Sequence, residues 1–311
     1  MKDKGIKLLK SYKGFDCELV TDLSRENLLL KLPEFDGITL RRGKIDREIL
    51  NKCDKLKVIA RHGVGYDSVD TVSLKEKGIT LLVAHNSTST SPAEHIMFMI
   101  MNIYKGVSMF DTMVRNGDFV KAIHLNIKQN FELFDKTVLI AGFGRIGKKL
   151  IKKCLGFDMK VIVFDPYVDD KVIASFGGKK VSNLEDALKV ADILSLSLPL
   201  NSETKNFITL REMKLMKKSS VIINAARGGV VNEVDLNNAL NNNIIAFAGI
   251  DVFEKEPPEL TNPLLTNKKV VLSPHAATFT KEGLESMAVE TAQNIIDFFE
   301  NKIESTKIVK L

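Results

Sequence analysis

Apolar residues in this chain come in short runs divided by polar, turn-forming segments, and the runs alternate with stretches of helical period. The opening KDKGIKLLKSYK reads as a short helix, and Cys17–Val20 reads as a strand. Ser24 suits the cap of a helix carrying Leu28–Leu30 and Leu32. A strand at Ile38–Leu40, a helix from Asp46 to about Cys53 and a strand at Lys57–Ala60 follow. After the turn RHGVGYDSVD come a helix near Val72–Lys77 and a strand at Ile79–Val83. This alternation predicts a small α/β body with a parallel sheet. Pro92, in STSPAEH, suits the first turn of a long helix. Its Ile96, Met97, Met99, Ile100, Met101 and Ile103 are too dense for one stripe, so that helix should be buried on several sides.

Beyond a loosely patterned stretch, Ala122 to Gln129, lie six apolar runs. They are Val138–Ile140, Val161–Phe164, Ile193–Leu198, Val221–Ile223, Ala246–Ile250 and Val270–Leu272, the strand number of a doubly wound nucleotide-binding sheet. Between them, Asn237–Asn243 reads as an Asn-rich turn. The last pattern, Glu282 to Ile303, reads as a helix returning to the first body. The expectation is two domains: residues 1–97 with 285–311, and residues 98–284 inserted between them.

Composition narrows the function classes. Among 311 residues, 45 basic against 39 acidic side chains give a net charge of +6, but the basic residues are scattered. They read as a lysine-rich solvated surface with a mild attraction for anions, and not as a nucleic-acid interface. Three distant cysteines (Cys17, Cys53, Cys154) offer no metal spacing and no disulfide framework, and suit a reduced, cytoplasmic protein. No apolar run approaches the 18 residues or so of a membrane span.

The chemistry centres on TVLIAGFGRIGKKL, Thr137–Leu150: an apolar strand, then Gly142, Gly144 and Gly147, then a helix former. The first glycine permits the tight turn, the second the approach of a pyrophosphate, the third the packing of helix on strand. Asp165 ends the next apolar run 18 residues past Gly147, near the usual spacing of about 20 for the acid that binds a ribose 2′-hydroxyl. No arginine follows it, and a carboxylate repels a 2′-phosphate, so NAD is favoured over NADP. Three later runs end in usable polar groups: Arg227 in NAARGG, Glu256 in DVFEKEPP and His275 in SPHAA. Ligands of open parallel sheets sit beyond the carboxyl ends of strands, so these three should converge. A histidine held by a carboxylate beside an arginine can donate a proton to a carbonyl oxygen that receives hydride.

These motifs in this order, with GVGYDSVD at Gly63–Asp70 and AEH at Ala93–His95, resemble the NAD-dependent D-2-hydroxyacid dehydrogenase family. That family includes phosphoglycerate dehydrogenases and hydroxypyruvate/glyoxylate reductases. The resemblance implies a Rossmann-type domain inserted into a smaller flavodoxin-like α/β substrate domain. It implies that Arg227 orients the substrate, that His275 is the acid–base and that Glu256 raises the pKa of His275. It further implies cofactor contacts at Arg145, Ile146, Pro199, Thr204, Ala225 and Asp251, and a carboxylate-binding loop at Val64–Gly65. Glu94 and His95 read equally as a helix-start pair. Arg61 with the basic surface favours a phosphorylated acid, so a D-3-phosphoglycerate dehydrogenase is the first expectation and a hydroxypyruvate/glyoxylate reductase the second. A non-catalytic, NAD-sensing corepressor is the competing class, and such a protein need not keep Arg227, Glu256 and His275 together. The resemblance also implies a homodimer and no metal. The chain departs from the family by opening at the first helix without a preceding strand: either the first domain lacks an edge strand, or the true start lies upstream, or the domain is rearranged.

Overall fold

The computed structural model describes every residue except 86, 88 and 126–129, so part of the loosely patterned stretch at 122–129 lies outside the described residues. In chain order the elements are α1 (Asp3–Ser11), α2 (Arg25–Lys31), β1 (Gly37–Leu40), α3 (Arg47–Lys52), β2 (Val58–Arg61), α4 (Thr71–Lys77) and β3 (Thr80–Val83). Next come α5 (Thr90–Lys105), α6 (Val107–Arg115), α7 (Phe119–Ile123), β4 (Thr137–Ala141), α8 (Arg145–Leu155), β5 (Lys160–Phe164), α9 (Asp170–Ser175) and β6 (Lys179–Lys180). The remainder are α10 (Leu184–Val190), β7 (Ile193–Leu196), α11 (Leu210–Leu215), β8 (Val221–Asn224), α12 (Glu233–Asn241), β9 (Phe247–Ile250), β10 (Val270–Leu272) and α13 (Lys281–Phe299).

The chain divides into two compact units, Met1–Thr88 with Thr278–Leu311, and Ser89–Ala277. The second unit begins ahead of the expected residue 98 because α5 joins its core from the first turn, through Ala93, Ile96 and Met97.

The first unit holds a parallel sheet in the order β1-β2-β3. Alternate residues face opposite ways along a strand. Val58 and Ala60 therefore pack with Leu9 of α1 and Ala292, Ile295 and Ile296 of α13, while Ile59 and Leu81 pack with Leu28, Ile49, Leu50 and Leu74 of α2–α4. Two aspartates set helix starts: Asp46 accepts the Ile49 N–H at 3.2 Å and Asp70 the Ser73 N–H at 2.9 Å. Cys17–Val20 is not a strand. Cys17 packs against the α13 side of the sheet while Leu19 points outward, and three apolar residues in four positions are too short a run to separate strand from loop.

The second unit is a seven-stranded parallel sheet in the order β10-β9-β8-β7-β4-β5-β6. The order reverses between β4 and β7, the doubly wound arrangement in which ligands bind at the reversal. Leu139, Leu194 and Ile222 face α10–α12, and Val138, Ile140, Ile193 and Ile223 face α5 and α8. With both faces covered, β7 and β8 bury every residue, the polar Ser195 and Asn224 included, which is why they read as mostly apolar runs. The six expected strands become seven through β6, an edge strand made of two lysines that carries no apolar signal. The expected turn at Asn237–Asn243 is helical through Asn241: Leu236, Ala239 and Leu240 pull that face of α12 into the core, and packing overrides the weak helix preference of asparagine.

Candidate active site

The site of the second unit starts with the turn after β4. Gly142 has φ +95°, and a Cβ there would lie 2.5 Å from the Ser197 carbonyl oxygen. A Cβ on Gly147 would lie 2.6 Å from the Gly142 carbonyl oxygen, so α8 is seated directly on the turn. At Gly144 a Cβ would meet open space among the described residues. The first-turn amides of α8, carried by Arg145 and Ile146, thus stand beside room for an anion, as a pyrophosphate requires. Asp165, at the end of β5, accepts the Phe143 N–H at 2.7 Å and the Tyr167 N–H at 2.9 Å. It ties the glycine turn to the neighbouring strand. The Thr204 hydroxyl donates to the Pro199 carbonyl at 2.6 Å and accepts the Asn201 N–H at 2.9 Å, closing the loop after β7.

Three further loops are locked together at the same sheet edge. Asn224, at the end of β8, accepts the Ala226 N–H at 3.1 Å and donates to the Arg227 carbonyl at 3.0 Å. The Arg227 guanidinium donates to the Ala226 carbonyl at 2.6 Å. Ala225 lies half-buried between them. Behind this loop a Cβ on Gly228 would lie 1.8 Å from the Phe253 carbonyl oxygen, so the loop after β8 packs backbone to backbone on the loop after β9. From that second loop Glu256 accepts the Phe253 N–H at 3.1 Å and meets His275 Nδ1 at 2.7 Å. His275 itself sits in the left-handed region at φ +52°, its N–H donating to the Asp251 carbonyl at 2.7 Å.

The electrostatics agree with this convergence. The hydrogen bond to Glu256 raises the His275 pKa above the ordinary histidine value, against burial and the Arg227 charge, which lower it. Burial raises the Glu256 pKa, but the hydrogen bond and charge of His275, the Phe253 N–H and Arg227 outweigh it and hold the carboxyl below its usual range. Nδ1 is thus engaged by Glu256, which leaves Nε2 as the nitrogen through which the ring can meet another group.

Two features escape sequence reasoning. Asp251 is fully buried and accepts hydrogen bonds from the Ser273 hydroxyl and from the Ala276 and Ala277 amides at 2.8 and 3.0 Å. His95 Nε2 joins it, 2.9 Å from Ser273 Oγ. Nothing in the spacing of residues 95, 251 and 273 announces that meeting. In the first unit, Arg61 donates through Nε to the Gly65 carbonyl at 2.8 Å and through Nη1 to the Leu40 carbonyl at 3.0 Å. Those bonds brace the loop that presents exposed Val64 and half-buried Gly65. Between them His62 is buried, and burial, with the charges of Arg41 and the N-terminal amine, pushes its pKa down to about 4.

A family model described as "D-isomer specific 2-hydroxyacid dehydrogenase, NAD binding domain" matches residues 97–277. The chain belongs to that family. Its second unit corresponds to the NAD-binding domain of that family, and the open space at Gly144 fits that cofactor. A D-3-phosphoglycerate dehydrogenase of Methanocaldococcus jannaschii is 34% identical over 296 residues, 95% of this chain and 55% of that protein. The chain spans about half the length of the phosphoglycerate dehydrogenases it matches. A glyoxylate reductase of Thermococcus litoralis is 35% identical over 315 residues, 99% of this chain and 94% of that protein. Among solved structures, the D-lactate dehydrogenase of Aquifex aeolicus, complexed with NAD and lactic acid, is similar with a TM-score of 0.81 at 28% identity. That similarity covers 90% of this chain and 88% of that one. Like these relatives this chain is built on parallel α/β sheets, and among the described residues no helix is long and apolar enough to cross a membrane.

Proposed function

We propose that this family member is an NAD-dependent D-2-hydroxyacid dehydrogenase, moving hydride between the nicotinamide and a small 2-oxo or 2-hydroxy acid. The observation that carries the reading is the 2.7 Å contact of His275 Nδ1 with Glu256, within the field of Arg227. In the reducing direction His275 Nε2 gives its proton to the carbonyl oxygen, while Arg227 grips the carboxylate and polarises the carbonyl. Glu256 keeps the imidazole charged and oriented. Backbone amides at Val64–Gly65 are assigned to the substrate carboxylate. Bound NAD supplies the hydride acceptor or, reduced, the hydride. Gly142, Gly144, Arg145, Ile146 and Gly147 are assigned to its pyrophosphate, Asp165 to its ribose, and Pro199, Thr204, Ala225 and Asp251 to the rest of the cofactor.

D-3-phosphoglycerate is the first-choice substrate, supported by the phosphoglycerate dehydrogenase relatives and by the cationic surroundings of His62 and Arg61. Glyoxylate or hydroxypyruvate is the second. The Thermococcus litoralis relative aligns over nearly the whole of both chains, and the Arg61 guanidinium is engaged in bracing its loop. NADH oxidation by the purified protein across phosphohydroxypyruvate, hydroxypyruvate, glyoxylate and pyruvate decides the matter. Preference for the phosphorylated acid assigns the protein to serine biosynthesis, and preference for the others makes it a reductase of small unphosphorylated acids. Turnover of none overturns the dehydrogenase reading and favours the corepressor class.

A homodimer through the second unit belongs to the same reading. It is supported by α6, which buries none of its residues, and by exposed Phe98, Val107, Phe119, Val120 and Ile123. Exposed apolar residues concentrated on neighbouring helices are a common mark of a protein–protein contact. The unpaired thiols of Cys17, Cys53 and Cys154 suit the reducing cytoplasm.

A further inference from the structure

We propose that His95 is a positioning residue for the acid–base pair, acting on His275 through Ser273 and Asp251. The proposal rests on the dehydrogenase reading for its kinetic consequence, but the geometry stands by itself. Asp251 has no exposed surface, yet burial is outweighed and its carboxyl held below the usual range by hydrogen bonds from His95, Ser273, Ala276 and Ala277. One carboxylate therefore gathers the α5 histidine, the serine that ends β10 and the two amides that follow His275. Its own backbone carbonyl takes the His275 N–H.

This arrangement answers a structural problem. A residue with a Cβ at φ +52° holds a conformation that L side chains rarely adopt, and it persists only where its surroundings over-determine it. Asp251 does so by fixing the chain on both sides, at Ser273 and at Ala276–Ala277. His95 completes the brace, 2.9 Å from Ser273 Oγ and 3.5 Å from Asp251 Oδ1. The carboxylate orientation that holds the loop is thereby the one that keeps His275 Nδ1 on Glu256.

The charged groups facing these histidines are few. His275 faces Glu256, Arg227 and Asp251, and His95 faces Asp251. Glu94, beside His95 on α5, is paired with Lys153 at 3.0 Å. Loosening the brace should thus reach His275 mainly through its contact with Glu256.

The test is the imidazole NMR titration of His275 in wild type, His95→Phe and His95→Gln, with steady-state kinetics beside it. His95→Phe should bring the His275 titration down toward the ordinary value of about 6.5. It should also lower kcat by about ten- to a hundredfold with KM for NADH unchanged. His95→Gln, whose amide reaches Ser273, should restore both. An unchanged titration in a folded His95→Phe protein overturns the proposal, as does a loss confined to the KM for NADH, which would mean that His95 acts on the cofactor site and not on His275. Should His95→Phe not fold, Ser273→Ala carries the same two readouts. Absence of turnover in the wild type overturns the dehydrogenase reading, while the titration still judges the brace.

Discussion

In the proposed mechanism His275 does two jobs with one ring: Nδ1 is committed to Glu256 and Nε2 serves the substrate. Replacing it with alanine should cut kcat by about 10²–10⁴-fold, the usual value of general acid–base catalysis, with NADH affinity by fluorescence retained. Reduction needs the protonated ring. Because the folded-state pKa is raised above the ordinary value of about 6.5, the ring holds its proton to higher pH than a free imidazole, and kcat/KM for reduction should hold to correspondingly higher pH. It should fall only as pH rises past the raised pKa, while oxidation, which needs the neutral ring, gains over the same range. Glu256→Gln removes the main cause of the shift, so the alkaline limb of reduction should move to lower pH in a kcat/KM profile. All three of these polar groups are visible in the sequence as the ends of apolar runs. Their partners are not: Asp251 and His95 are 156 residues apart and meet only because β9, β10 and α5 pack into one unit.

At the level of the element, the glycine turn and α8 act as one piece. Gly147→Ala would push a methyl to 2.6 Å from the Gly142 carbonyl, a backbone atom with no way to swing aside. Overpacking of that kind costs about 1–3 kcal/mol, so thermal unfolding should show a clear fall in Tm. Gly144→Ala adds its methyl to open space, and Tm should stay near wild type. Its effect should instead appear as weaker NADH binding in calorimetry, because the methyl occupies the place given to the pyrophosphate. The two alanine variants therefore separate folding from binding within one turn. The sequence spacing identifies this element because glycine is needed for close approach whatever the rest of the chain does. It does not identify β6, which pairs with β5 through backbone alone and carries only lysines.

Over the whole molecule, the order β10-β9-β8-β7-β4-β5-β6 places the glycine turn at the strand reversal and delivers the Arg227, Glu256 and His275 loops from three adjacent strands. One sheet edge thus collects residues spread over more than a hundred positions. The surface of α5–α7 is a different matter, since several of its apolar residues are exposed among the described residues. Val120→Asp, at a position 67% exposed, should leave Tm almost unchanged and shift the mass seen by light scattering from dimer to monomer. A monomer in the wild type would end the dimer proposal.

The sequence by itself determined the elements whose signal is local. Apolar runs of β-sheet period, the glycine spacing and the polar residue that closes each late strand all follow from steric and hydrophobic demands acting within a few residues. It also carried enough ordered motifs to mark the family. Tertiary structure alone decided what depends on distant neighbours. Cys17–Val20 runs past the sheet without pairing, Asn237–Asn241 becomes helical because its apolar face is buried, and Arg61 turns back to hold its own loop. The same holds for the buried Asp251, whose charge is tolerable only because four donors from two distant segments, α5 and residues 273–277, arrive around it.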